Sequence, residues 1–156
     1  MLALAVGKNS EKPGYSEMVV RELSKMEYPH EIEGVPSSAV EQLRIEASLS
    51  EEVRTQGTKM GRLAYMTTSQ YSTGNIAKLL IGAFDVPVGV AMKEKQQGWY
   101  EVSLRGTGEV RIHLGRTIAK ISAKLGGSGG GHKKAAGCRI PVDRAGQMMT
   151  ALARKI

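Results

Sequence analysis

Met18, Val19, Leu23 and Met26 fall on one face of a helix predicted from Tyr15 to Met26, with Ser16 at its start. Pro29, Gly34 and Pro36 interrupt the pattern. A second helix is expected from Ser38, because Ser38 and Glu41 have capping-box spacing and Val40, Leu43 and Ala47 follow on one side. It runs toward Gly57, with or without a break near Ser50. After Gly61 the period changes: Leu63–Thr67 reads as a strand, Asn75–Phe84 as a helix and Val86–Lys93 as a second strand. Gln96, Gln97 and Gly98 form a turn. From Trp99 to Arg105, Tyr100, Val102 and Leu104 alternate with Glu101, Ser103 and Arg105, which predicts a hairpin strand with one buried face. Leu114, Ile118, Ile121 and Leu125 predict a helix ending at Gly126. A glycine-rich loop, a short helix, a strand over Cys138–Ile140 and a final helix from Val142 to Lys155 complete the pattern. The order predicts an α/β domain over residues 62–156, a mixed β-sheet covered by helices. A helical segment over residues 1–61 precedes it, as a linker, a docking helix or the remnant of a larger domain. No internal repeat occurs.

A chain of 156 residues, 41% hydrophobic, buries one ordinary core, or one domain with a helical appendage. Aromatic residues make up only 4%, which excludes an extended stacking platform and leaves room for one or two stacking contacts. The lone Cys138 cannot form an internal disulfide and reads as a buried structural thiol. Met1–Val6 is apolar but too short for a signal-peptide core or a membrane span, so the chain reads as soluble and cytoplasmic, with no membrane partner. Net charge is +7, unevenly distributed. Residues 1–90 hold nine Lys and Arg against eleven Asp and Glu, and residues 91–156 hold thirteen against four. The basic half points to a polyanionic or phosphorylated partner, or is simply a basic surface.

The candidate chemistry lies in that half. Gly129, Gly130 and Gly131 run into His132, Lys133 and Lys134, and then Ala135, Ala136 and Gly137. Glycines without Cβ atoms let backbone N–H groups converge on a phosphate, an expected helix start adds its positive end, and the lysines supply charge. A flexible linker is the alternative. His132 either donates to a phosphate or caps the helix. Arg105, ending the hairpin strand, either clamps two phosphate oxygens or is a solvated strand-end arginine; Ser103, on the same face, offers a hydroxyl.

Hydrolytic chemistry finds little support. Three histidines (His30, His113, His132) and two aspartates (Asp85, Asp143) show no clustering of the kind that a two-metal phosphodiesterase requires. There is no His-Glu-x-x-His, no Gly-x-Ser-x-Gly, and Gly131 is followed by His132 rather than the Lys-Ser/Thr of a P-loop.

Val102-Ser103-Leu104-Arg105, an amphipathic helix, and then Gly-Gly-Gly-His-Lys-Lys-Ala-Ala-Gly over residues 129–137 resemble the first-subtype DHH-associated domain of DHH-superfamily phosphoesterases. That superfamily includes RecJ-type exonucleases, nanoRNases and cyclic-dinucleotide phosphodiesterases. The resemblance covers Arg62 to Ile156. It implies that the domain holds nucleotide phosphates over a separate DHH domain carrying manganese, with the loop glycines and His132 as phosphate contacts and Arg105 as a substrate-binding arginine. No Asp-His-His occurs in the sequence, so no catalytic residue and no cofactor is assigned to this chain. Gly126-Gly127-Ser128 lengthens the usual loop.

Three readings follow. The first is a module that binds single-stranded or short nucleic acid or nucleotides, without a metal site of its own. The second is the substrate-binding part of a manganese phosphodiesterase or exonuclease whose catalytic DHH subunit or domain lies elsewhere. The third is a dimerisation or interaction protein in which the helices of residues 1–61 meet a partner or a second copy.

Overall fold

A computed structural model describes Asn9, residues 11–25, Ile32, and residues 34–156 apart from Gln97. It divides into two compact units, residues 1–49 and 50–156.

In the first unit, α1 (Tyr15–Ser24) and the start of α2 (Val35–Gln56) contribute to a small core of Val19, Ile32, Val35 and Ala39. Met26 and Pro29 lie outside the described residues. The expected helix start at Ser38 is corrected: α2 begins at Val35, and Pro36 lies within its first turn instead of breaking it. A proline there removes only an N–H that lacks an intrahelical acceptor. The Ser38 hydroxyl accepts a hydrogen bond from Asn9 Nδ2 at 2.9 Å.

The second unit is built on a six-stranded sheet of order β1-β2-β3-β4-β6-β5. Its strands are β1 (Thr58–Met60), β2 (Leu63–Thr67), β3 (Val88–Gln96), β4 (Trp99–Gly106), β5 (Ser128–Gly131) and β6 (Ala135–Pro141). Among the described strands only β2 and β3 pair in parallel, joined by α3 (Thr73–Phe84); the other pairs are antiparallel. The mixed sheet and its helices agree with the α/β class expected.

Alternation sorts the side chains cleanly. Val88, Val90, Val102, Leu104, Cys138 and Ile140 point to one face, buried under α4 (Leu114–Lys124) and α5 (Ala145–Ala153) through Leu114, Ile118, Met148 and Leu152. Burying each such side chain contributes about 1.5–3 kcal/mol. The opposite face receives α3, which packs on β2, β3 and β4 through Ile76, Ala77 and Leu80.

Several boundaries move. The short helix expected after the glycines does not form: residues 128–131 and 135–141 are two strands of one hairpin, and the chain turns at residues 132–134. Glycine runs carry no hydrophobic period, so pattern alone gave no sign that neighbouring β6 would recruit them into its ladder. The strand expected at Cys138 accordingly starts at Ala135. The final helix is a 3-10 turn, Val142–Arg144, followed by α5. The strand expected over Val86–Lys93 is shifted two to three residues later, and α3 begins at Thr73 behind Ser72.

Candidate functional site

Register across the sheet aligns Ala91, Ser103, Gly137 and Gly130 in one row, and Gly89, Arg105 and Ala135 in the next on the same face. Glu101 and Arg139 form a third such row with Ser128. Ala91 and Gly89 lie buried beneath the α3 side. At the β5–β6 end the floor consists of Gly137 and Gly130, and the space where a Gly130 Cβ would stand meets no atom within 4 Å.

The rim of this floor is polar. Ser103 Oγ and Thr73 Oγ1 lie 2.8 Å apart, tying β4 to the start of α3. Arg105 is half-buried; its Nη1 donates to the Leu104 carbonyl at 3.0 Å, and its guanidinium lies over Gly74, where a Cβ would stand 3.0 Å from Nη2. The guanidinium is therefore held beside the α3 N-terminus rather than extended into solvent. Helix N-termini and arginine favour the same anionic groups.

The turn at residues 132–134 has a different architecture from a nest of N–H groups. His132 N–H donates to Ala135 O at 2.7 Å, while the carbonyls of His132, Lys133 and Lys134 accept from Gly115 N (3.1 Å), Leu114 N (3.0 Å) and Gly106 N (2.9 Å). Three successive carbonyls are thus turned inward. His132, Lys133 and Lys134 are exposed. His132 does cap a helix, but with its main-chain oxygen, and that helix is α4, which precedes it in sequence. The His113 side chain caps the same end, accepting from Arg116 N at 3.3 Å.

This packing explains Gly131 and Gly115: a Cβ on Gly115 would fall on the Gly131 peptide. Gly129 is likewise confined, since its Cβ would come within 2.5 Å of Cys138 Cβ. Gly130 alone among residues 129–131 faces open space, and β5 is an edge strand, whose outer backbone groups have no ladder partner among the described residues. The structure thus brings Ser103 and Arg105 together at the α3 start and ranges Gly130 on the same face. The exposed cations of the turn follow Gly131 at one end of the floor. Thr73, Gly74 and Gly137 were missed by sequence reasoning. Ser72-Thr73-Gly74 could have been read as a helix start, but nothing local showed that it would meet Ser103.

Other groups on this face are Lys93, Lys95, Arg139 and Trp99, with Glu101 the acidic member. Arg139 stacks over the Trp99 ring at 4.8 Å. Cys138 lies on the other face, buried, with Sγ 3.6 Å from Met148 Sδ; burial pushes its pKa up to about 12. Among the described residues no three His, Cys, Asp or Glu side chains group closely enough to hold a metal ion, and no helix is long and apolar enough to cross a membrane.

Fold and site together define an α/β domain with an open glycine floor rimmed by basic and hydroxyl groups. A sequence profile of the DHHA1 domain matches residues 61–156, and the chain belongs to that family, the DHH-associated domain of the DHH superfamily. It is 43% identical over 67 residues to the uncharacterized protein MJ0988 of Methanocaldococcus jannaschii, covering 42% of this chain and 20% of that one. Its fold is similar to the pGpG-specific phosphodiesterase PggH from Vibrio cholerae, with TM-score 0.60 and 16% identity over 80% of this chain and 42% of that one. It is also similar to RecJ from Thermus thermophilus, with TM-score 0.50 and 16% identity over 78% of this chain and 20% of that one. The chain spans less than half the length of each of these three.

Proposed function

We propose that residues 50–156 bind the phosphates of single-stranded or very short nucleic acid, or of nucleotides, on the open glycine floor, with no bond-breaking chemistry of their own. The observation that carries this reading is the meeting of Arg105, Ser103 and the α3 start at the edge of Gly130 and Gly137. In this reading Arg105 presents its guanidinium to two phosphate oxygens, and Ser103 donates its hydroxyl to the phosphate while its oxygen accepts from the Thr73 hydroxyl. The small floor lets the phosphate approach the Gly129–Gly131 backbone. His132, Lys133 and Lys134 close the end of the site as exposed donors and charges. The test is anisotropy titration of a labelled oligonucleotide. Arg105→Ala is expected to weaken binding about 10- to 150-fold, the range for a charge-assisted hydrogen bond of about 1.5–3 kcal/mol, with the fold intact. Unchanged affinity would remove Arg105 from the site.

Family membership and the likeness to PggH favour a second reading of the same surface, as the substrate-holding part of a phosphodiesterase. Residues 1–61 would then be the remnant of, or the link to, a DHH domain, and any manganese would be held by that domain. Adding a DHH-domain protein in trans should then yield metal-dependent release of nucleotides that this chain alone does not produce. A third reading, as an interaction protein, draws support from Val20, Val40 and Leu43 in the first unit, which are 65%, 49% and 52% exposed. Light scattering of the purified chain tests for a homodimer.

A further inference from the structure

The far end of the same sheet face holds a feature that phosphate binding does not use. Trp99 and Arg139 occupy adjacent strands, and the guanidinium carbon lies 4.8 Å from the ring centroid. Around them Lys95, Tyr100 and Glu101 complete a cleft of 310 Å³. Trp99 is the sole tryptophan and is only half-buried, although burying its ring would have added to a core already short of aromatics. Alternation along β4 puts Trp99 on the same side as Glu101, Ser103 and Arg105. The one carboxylate of the cleft is balanced: Glu101 Oε2 is 3.8 Å from Lys95 Nζ.

We infer that the Trp99–Arg139 stack is a base-stacking subsite for single-stranded nucleic acid, an inference that rests on the phosphate-site reading above. An indole ring and a guanidinium plane are both surfaces on which unpaired bases stack without regard to sequence. Lys95 and, beside it, Lys93 suit a backbone running past. Position then sets a length requirement. From Arg105 to Trp99 is six residues of strand, or about 20 Å, beyond the reach of a mononucleotide and matched by an extended oligonucleotide of roughly four residues. A mononucleotide anchored at Arg105 leaves Trp99 untouched, whereas a tetranucleotide delivers its far base to the stack. The subsite therefore discriminates by length rather than by sequence.

The experiment titrates the 156-residue chain with a 5′-phosphorylated thymidine tetranucleotide and, separately, with thymidine 5′-monophosphate. Trp99 fluorescence and calorimetry are read together. The tetranucleotide is expected to quench the single tryptophan, and Trp99→Ala is expected to weaken it about 5- to 150-fold, the range for loss of one base stack. Monophosphate affinity is expected to stay within about twofold. Trp99→Phe keeps a ring and should restore most of the tetranucleotide affinity, which separates stacking from damage to the fold. If tetranucleotide binding falls with Arg105→Ala but not with Trp99→Ala, this subsite is overturned and the phosphate site stands. If neither compound binds the unaltered chain, both readings fail.

Discussion

Gly130→Val and Gly115→Ala form a pair that separates a glycine kept for a ligand from one kept for packing. At Gly115 a Cβ falls on the Gly131 peptide, within 2.9 Å of its nitrogen, and both contacting parts are backbone. Neither can swing aside as a side-chain end would. Overpacking of this kind costs about 1–3 kcal/mol. Parting α4 from the turn also lengthens the bonds from Gly115 N to His132 O and from Leu114 N to Lys133 O, each contributing about 0.5–1.5 kcal/mol. A loss of about 3 kcal/mol or more is expected, read in a thermal melt as a Tm lower by roughly 10 °C. At Gly130 the Cβ meets nothing within 4 Å, and its φ is not positive, so valine fits the strand and recovers about 0.5–1 kcal/mol of the entropy glycine loses on folding. Its Tm should hold or rise slightly. The isopropyl group stands over the floor, however, and should raise the Kd of a labelled oligonucleotide about tenfold or more, equivalent to about 1.4 kcal/mol. If Gly130→Val melts as early as Gly115→Ala, the floor is not open. If it melts normally and binds unchanged, the floor is not where the ligand lies.

Four further outcomes follow from the same geometry. Oligonucleotide affinity should fall steeply and linearly in log–log form with salt, and Lys133→Ala with Lys134→Ala should flatten that slope by about two units at most if both lysines meet phosphates; an unchanged slope places them in solvent. Cys138 should resist alkylation in the native chain at pH 8 and react quickly in urea, because its thiol is buried and pushed up to about 12 from an ordinary 9.0. The raised folded-state value means that its contribution to stability is complete below pH 9 and is lost as pH rises toward 12, so urea midpoints at pH 8 and pH 10.5 should differ more for the native chain than for Cys138→Ala. Ser103→Ala should leave the Thr73 hydroxyl without its 2.8 Å partner and lower stability by about 0.5–1.5 kcal/mol, measurable by urea unfolding; no change would mean that water replaces it.

Much of this protein was legible along the chain. Alternation in Trp99–Arg105 separated Val102 and Leu104, which are buried, from Ser103 and Arg105, which share the open face. The four-three-four spacing from Leu114 announced the helix that covers the core, and the Gly-Gly-Gly-His run announced the DHHA1 family. These properties are carried by neighbours in sequence, because the period of a strand or helix is a local consequence of backbone geometry. The glycine run was different. Read alone it suggested a loop feeding a helix, whereas pairing with β6 makes it an edge strand, and contact with α4 turns three carbonyls of its turn inward. Which of its glycines serve packing and which one leaves room depends on Gly115, Cys138 and Gly137, all brought there by the fold. The partnership of Arg105 and Ser103 with Thr73 and Gly74 likewise spans some thirty residues. A side chain's type and face are set by its own stretch of chain; what it meets is set by the crossover of α3 and the register of four strands, which no local pattern encodes.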